Sequence, residues 1–319
     1  MVNISTAGLT AQSILQIRNA QSTLSDLSNQ LSTGKKSLNL SDYTLTQTSS
    51  ILDYSSSIDK SNSYLSVISV LKPRVQLYDN ALTKLSKIST ETLASVNTAD
   101  YNTATNTALG QQLTSFMSDI TYYLNQKVGD RYVFAGTGTR LTSPPVIDLT
   151  TLPSPPVAPD TAPVTSPTLP TSDTAAPGAD VQAYTHDSAT IDDGLNMTYG
   201  ITSTDQGMQN LILGVRWAYA ATQSPTNFTA YMNTARGLLT TAVTQLRDLQ
   251  ASNAGNQNRL SEVSANHNTL ISDLTTRTQE IQNVDSAEVA AKITFTQSQL
   301  EASYSVTARI AQLSITKYL

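Results

Sequence analysis

The chain has 319 residues, 39% of them hydrophobic and 6% aromatic, with a net charge of -5 and no cysteine. The missing cysteines exclude disulfides, thiolate chemistry and cysteine-based zinc sites together, and an acidic chain with no basic stripe interleaved with aromatics cannot neutralise phosphates, which argues against a nucleic-acid partner. Charged residues make up only 13%, while serine and threonine number 84, so the surface is polar but weakly charged and neighbours can pack on it at small desolvation cost.

The first amphipathic stretch predicts a helix over about Ser5 to Ser32, with a seam of Ile14, Ile17, Gln21, Leu24, Ser28 and Leu31 and with Leu27 beside it. Thr33-Gly34-Lys35-Lys36 ends it, glycine suiting the C-terminal cap and the lysines its negative end. A second helix is expected from about Asp42 to Val96, on Ile51, Ile58, Leu65, Ile68, Leu71, Val75, Tyr78, Leu82 and Leu85, with a kink or break at Pro73. A third, about Tyr101 to Lys127, places Leu109, Leu113, Phe116, Ile120 and Leu124 on one face. Arg131-Tyr132-Val133-Phe134 reads as a short strand closed by Gly136 and Gly138.

From Pro144 to Pro177 the composition changes: ten of the twelve prolines lie there, among Ser, Thr and Ala. Such backbone favours extended, solvated conformations, so the segment reads as a surface insertion, with a proline-rich docking ligand as the alternative. Val181 to Thr204 alternates apolar and polar residues around a turn at Asp192-Asp193-Gly194, predicting two strands. Asp205 is placed to cap a helix carrying Met208, Leu211, Ile212, Val215 and Tyr219, and Ser224-Pro225 to start the next one.

Leu239 to Val284 carries the strongest pattern of the chain. Leu239, Ala242, Leu246, Leu249, Asn253, Asn256, Leu260, Val263, His267, Leu270, Leu274, Arg277, Ile281 and Val284 step alternately by three and four, the a/d signature of a helix with an apolar partner along one seam. Asn253, Asn256, His267 and Arg277 interrupt it with polar groups, either as a leaky seam or as devices that set register. The pattern breaks at Asp285-Ser286, a cap, and a last helix runs nearly to Leu319 with Ile293, Leu300, Val306, Ile310 and Leu313 on one face.

The fold class that follows is mainly α: a long antiparallel helical coiled-coil bundle formed by the N- and C-terminal halves, with a small β-rich, Pro-rich insertion. The boundaries are 1-42 for an N-terminal helical segment, 43-135 and 205-285 for the two halves of a helical rod, 136-204 for the insertion and 286-319 for the C-terminal helical segment. Ordering the two end helices costs more backbone entropy than their dozen large apolar side chains return, so both ends are expected to fold fully only against neighbouring copies. The contact residues expected there are Ile14, Ile17, Leu24, Leu31, Leu300, Ile310 and Leu313.

Little in the chain points to chemistry. His186 and His267 are isolated, and Asp192-Asp193 reads as a turn rather than a calcium loop, which needs more oxygens and a closing Glu. Neither G-x-x-x-x-G-K-[ST] nor G-x-S-x-G occurs, so neither an enzyme nor a cofactor is expected. No apolar run reaches the roughly eighteen residues that span a membrane. Met1-Val2-Asn3-Ile4-Ser5 lacks the start of a cleaved signal peptide, so the chain is expected to stay inside the cell or to leave by a route that reads no such signal.

The two ends resemble the bacterial flagellin-type axial proteins. Gln30-Leu31-Ser32-Thr33-Gly34-Lys35-Lys36 is similar to that family's "LSSGKR" segment, and Ala254-Gly255-Asn256-Gln257-Asn258-Arg259-Leu260 to its "G-x-x-NRL". Val284-Asp285-Ser286-Ala287-Glu288 resembles its "DVDxAE", and Leu300-Glu301-Ala302-Ser303-Tyr304 through Ile310-Ala311-Gln312-Leu313-Ser314 and Tyr318-Leu319 its terminal "LxASYxxxAxxxQLSLLxYL". Gly129-Asp130-Arg131-Tyr132-Val133-Phe134-Ala135-Gly136-Thr137 is similar to the "G-x-RYLFAG" of the hook-associated, hook–filament junction branch. The resemblance covers residues 1–135 and 205–319, and it departs from the family after the lysine pair, where only Ser41-Asp42 remains of a Pro-bearing "SDDP".

The resemblance implies a secreted structural subunit exported by the flagellar type III apparatus, with terminal helices lining the core of a tube. It implies a homo-oligomeric ring between an adjacent hook-associated protein and flagellin, and an export chaperone. The alternatives are a filament flagellin and, outside the family, a helical secretion-tip or signalling module.

Overall fold

The computed structural model describes residues 6–101, 103–137, 144–146, 148–150 and 185–315. Among the described residues six helices carry the fold: α1 Thr6–Thr33, α2 Leu45–Thr98, α3 Thr103–Leu124, α4 Gln206–Gln223, α5 Phe228–Gln282 and α6 Ser286–Ile315. Two antiparallel two-stranded ribbons accompany them, β1 Lys127–Val128 with β2 Arg131–Tyr132 and β3 Ser188–Asp192 with β4 Leu195–Thr198. The class is mainly α with a small β part, as the periodicities require. The chain divides into two compact units, residues 1–60 with 269–319 and residues 61–268.

In the 61–268 unit, α2 and α5 run antiparallel. Asn97, Thr83 and Val75 of α2 accept from Arg236, Gln250 and Asn253 of α5, so successive contacts step in opposite directions along the two helices. Ile68, Leu71, Val75, Tyr78, Leu82, Leu85 and Val96 on α2 are all buried, at helical spacing. The helix is continuous through Pro73. The missing N–H costs one backbone bond, but Leu71 and Val75 on either side are buried in the core, and that packing outweighs the local penalty of about 3 kcal/mol.

Helix α4 is buried almost all round and packs on α3. It also comes close to α5: a Cβ built on Gly214 would lie 2.6 Å from Leu239 Cγ. Trp217, the single tryptophan, meets Tyr231 edge-on at 5.0 Å in this core. The next helix starts at Phe228, three residues after Pro225, and Asn227 accepts the first amide bond from Tyr231.

The strand expected at Arg131–Phe134 ends at Tyr132, and Val133–Ala135 turn as a 3-10 helix. All three of these residues are buried. Tyr78 donates to Val133 O at 2.7 Å, and burial, then the charge of Asp187, raises its phenol well above the usual range. The proline-rich stretch does not begin as solvated backbone either. Val146 and Leu149 are buried, and the Asn125 side chain bonds both Val146 O and Val146 N, at 2.6 and 3.1 Å. Residues 151–184 and 138–143 lie outside the described residues.

The hairpin β3–β4 turns at Asp193-Gly194 as its Asp-Asp-Gly signal requires, with Asp192 paired to Leu195. The register slips between Thr190 and Asp192, leaving Ile191 as the extra residue of a bulge. The slip puts the Ile191 side chain in the core and its carbonyl 3.2 Å from His267 Nε2.

Asp205 occupies the N-cap position of α4, but its side chain caps nothing in the helix. It reaches backwards instead: Oδ2 accepts from Thr202 N at 2.9 Å, and Oδ1 lies 2.7 Å from His186 Nε2.

Candidate assembly surface

In the unit formed by residues 1–60 and 269–319, α6 packs along α1. The pair is antiparallel: Gln21 donates to Tyr304 OH at 2.8 Å, while Lys35 bridges Asn283 at the other end. Gly34 leaves α1 with φ +69, a left-handed C-cap geometry that glycine adopts without strain, and its N–H closes on Gln30 O at 2.8 Å. The backbone then docks on the end of α5. Val284 N donates to Gly34 O at 3.0 Å and Lys36 N to Gln282 O at 2.7 Å.

The Lys36 ammonium reaches Ile281 O at 2.7 Å. The lysine therefore caps the C-terminus of α5, not of α1, because the antiparallel bridge carries it past its own helix. Asp285 does cap its own helix, with Oδ1 accepting from Ala287 N at 2.8 Å and Glu288 N at 3.3 Å.

The line of α1 covered within the chain is Ser13, Ile17, Ala20, Leu24 and Leu27, and on α6 it is Val289, Ile293, Thr296, Leu300, Ser303 and Thr307. Both step by three and four, so the terminal helices form a short two-stranded seam, polar at Ser13, Thr296, Ser303 and Thr307. On α1 this line is rotated from the expected one: Ile17 and Leu24 are shared, whereas Ile14, Gln21, Ser28 and Leu31 lie to one side, exposed.

Of the expected contact residues, Leu300 is buried, Ile17 and Leu24 are half-buried, and Ile14 and Leu31 are 50% and 42% exposed. Ile310 and Leu313 lie outside the residues whose side chains are described. Phe295 at 71% and Val306 at 52% are exposed on α6, and Leu38, Leu45 and Leu52 stand out from the segment after α1. These last three stand off the Ile51, Ile58 and Leu65 line on which the second helix was read, so that line did not single them out.

The long seam of α5 is used inside the chain. Leu239, Ala242, Leu246, Asn253, Leu260, Val263 and His267 are buried. Three of its four polar members find a backbone carbonyl: Asn253 that of Val75, Asn256 that of Thr198 and His267 that of Ile191. Past His267 the covered line moves by one residue, to Ile271, Leu274, Thr278 and Ile281, leaving Leu270 and Arg277 exposed. Two consecutive steps of four are a stutter, where a helix sheds the drift between 3.6 and 3.5 residues per turn.

Clefts in the 61–268 unit reach about 530 and 550 Å³. The first is lined by Leu77, Thr121, Tyr122, Asn125, Gln126 and Lys127, the second by groups such as Ser95, Asp100, Asn106 and Gln112; neither holds a histidine or paired carboxylates. Among the described residues no cluster of His, Asp and Glu could hold a metal ion, and no helix is long and apolar enough to cross a membrane.

Paired terminal helices with a thin inner seam and apolar side chains left outside it define a helical protein of structural type. Residues 237–319 match the family model of the bacterial flagellin C-terminal helical region. The chain thus carries that helical region at its C-terminal end. No curated protein matches it by sequence. Its fold is similar to a solved structure described as a flagellar hook-associated protein from Vibrio parahaemolyticus, at 15% identity and a TM-score of 0.58, over 76% of this chain and 100% of that one.

Proposed function

We propose that this chain is the subunit of a hook-associated adaptor layer joining hook to filament, outside the cell, on the bacterial flagellum. The observation that carries the reading is the unit of residues 1–60 and 269–319, a flagellin-type C-terminal helix paired with α1 and still exposing Ile14, Leu31, Phe295 and Val306. Leaving large apolar side chains in water is unfavourable by roughly 1.5 to 3 kcal/mol each, and packing between copies removes that cost. The Gly129–Thr137 segment and the likeness to a hook-associated fold support the junction over the shaft.

In this reading Ile17, Leu24 and Leu300 hold α1 and α6 together within a copy. Ile14 and Leu31, with Ile310 and Leu313, meet neighbours. Residues 1–42 and 286–319 form the inner core, 43–135 and 205–285 the rod, and 136–204 the outer insertion. The partners are further copies, an adjacent hook-associated protein, flagellin and, before export by the type III route, a chaperone. Immunogold labelling of intact flagella tests it: a single spot at the far end of the hook is expected. Label along the whole shaft would instead make the chain a filament flagellin.

A further inference from the structure

The chain enters its proline-rich stretch at the rim of a cleft. The Asn125 side chain holds Val146 at 2.6 and 3.1 Å, and Leu149 N donates to Thr121 Oγ1 at 3.4 Å. Thr121 and Asn125 stand one turn apart at the C-terminal end of α3. The same two residues line the cleft of about 530 Å³ at that end, with Leu77, Tyr122, Gln126 and Lys127. Its size is within the roughly 300–1,000 Å³ of clefts that take a ligand.

The lining has a particular chemistry. Tyr122 is 66% exposed and meets Tyr123 edge-on, with ring centres 5.3 Å apart. Leu77, half-buried, supplies an apolar wall. Gln126 Oε1 is buried and accepts no hydrogen bond among the described residues, an unfavourable state for a buried acceptor. Lys127 closes the end of the cleft, its ammonium 4.4 Å from the centre of the Tyr132 ring. A bare aromatic ring beside polar groups that seek backbone partners is how proteins take proline-rich segments.

The sequence that follows Leu149 carries the matching pattern. Pro153, Pro156 and Pro159 recur at every third residue, and Asp160 follows the last of them. Polyproline II has three residues per turn and rises about 3.1 Å per residue, so prolines at that spacing share one edge and a turn is about 9 Å long. Val157 and Ala158, between two of these prolines, keep the N–H groups that proline lacks. Pro156 lies seven residues beyond Leu149, which is chain enough to turn back across Tyr122.

We propose that this cleft is the docking site for Pro156–Asp160 of the same chain. The two prolines lie against Tyr122 and Leu77, an N–H between them donates to Gln126 Oε1, and the Asp160 carboxylate meets Lys127. The charge pair sets direction more than strength. The tether decides the source: joined through so few residues, the segment is present at an effective concentration in the millimolar range, which a second copy does not match in dilute protein. The beginning of the insertion is thereby fastened to the rod.

The absence of native cysteine makes the test direct. Asp130→Cys, in the exposed turn after Lys127, and Thr161→Cys, next to Asp160, are placed in one full-length chain. The rate at which a short bis-maleimide links them is measured in dilute protein. Adding Pro156→Ala with Pro159→Ala, or Tyr122→Ala alone, should slow the link roughly tenfold, and Asp160→Asn about twofold. Tyr122 lies outside the core and the two prolines outside every described helix, so the slowing does not come from unfolding, and unchanged far-UV circular dichroism checks this. The same rate in every variant is that of a free tether and overturns the docking. Links between chains in place of links within one assign the cleft to another copy and overturn it as well. The cleft belongs to the 61–268 unit, and each of these results leaves the adaptor reading as it stands.

Discussion

Gly214→Ala tests the packing on which the core of the 61–268 unit depends. In an exposed helix interior the change raises stability by about 1 kcal/mol, because alanine loses less entropy than glycine. At position 214 the added methyl would lie 2.6 Å from Leu239 Cγ and 2.9 Å from its Cδ2. Ordinary carbon contacts need about 3.5 to 4.0 Å. Leu239 has no solvent exposure into which to swing, so α4 and α5 must part by roughly 1 Å. Overpacking of this kind costs about 1 to 3 kcal/mol, which exceeds the gain in helix propensity.

The expected net loss is up to about 2 kcal/mol, a fall of up to several degrees in a unit of this size. Trp217, buried on α4 and unique in the chain, reports the transition by fluorescence. Gly237→Ala on α5 is the control: nothing lies within 4 Å of its Cβ, so its midpoint should rise. Leu239→Ala alone should cost about 2 to 5 kcal/mol. Combined with Gly214→Ala it should cost measurably less than the sum, since the new methyl fills part of the cavity. A midpoint for Gly214→Ala raised as far as that of Gly237→Ala refutes the close approach of α4 to α5.

Tyr78 makes stability fall in alkali. Its folded phenol stays neutral above the ordinary value of about 10, so above that pH the unfolded chain ionises first and unfolding is favoured. Tyr78→Phe should flatten that alkaline decline in denaturant midpoints while costing about 1 kcal/mol at pH 7 for the lost bond to Val133. Asp205→Ala should strip the partner from the fully buried Thr202 amide, costing about 1 to 3 kcal/mol and speeding exchange of that amide. Leu27→Asp should separate α1 from α6 in the free chain, seen as lost amide protection, whereas Ile14→Asp should leave the pair intact and block incorporation into flagella. Equal protection in both variants would place the inner seam wrongly.

Local pattern was enough to read the helices, the Asp193-Gly194 turn and the Asp285 cap, since each is set by neighbours a few residues away, and the antiparallel return of the C-terminal half followed from the need of the two helical halves to cover each other's apolar seams. Leu239 to Leu260 could be read as a buried seam because burial on a helix imposes its own period. Other features depend on groups far apart in sequence, and only the tertiary structure decided them. Lys36 caps α5 because the chain crosses Asn283. Asp205 turns back to Thr202 because His186 arrives beside it. Val146 and Leu149 leave the solvent because Asn125 holds them. The same holds for the face that α1 turns inward. A rotation of about 50° on the helix separates a seam that adds Ile14 and Leu31 to Ile17 and Leu24 from the one that adds Ala20 and Leu27 to them, and an apolar period alone does not distinguish them; the position of α6 does.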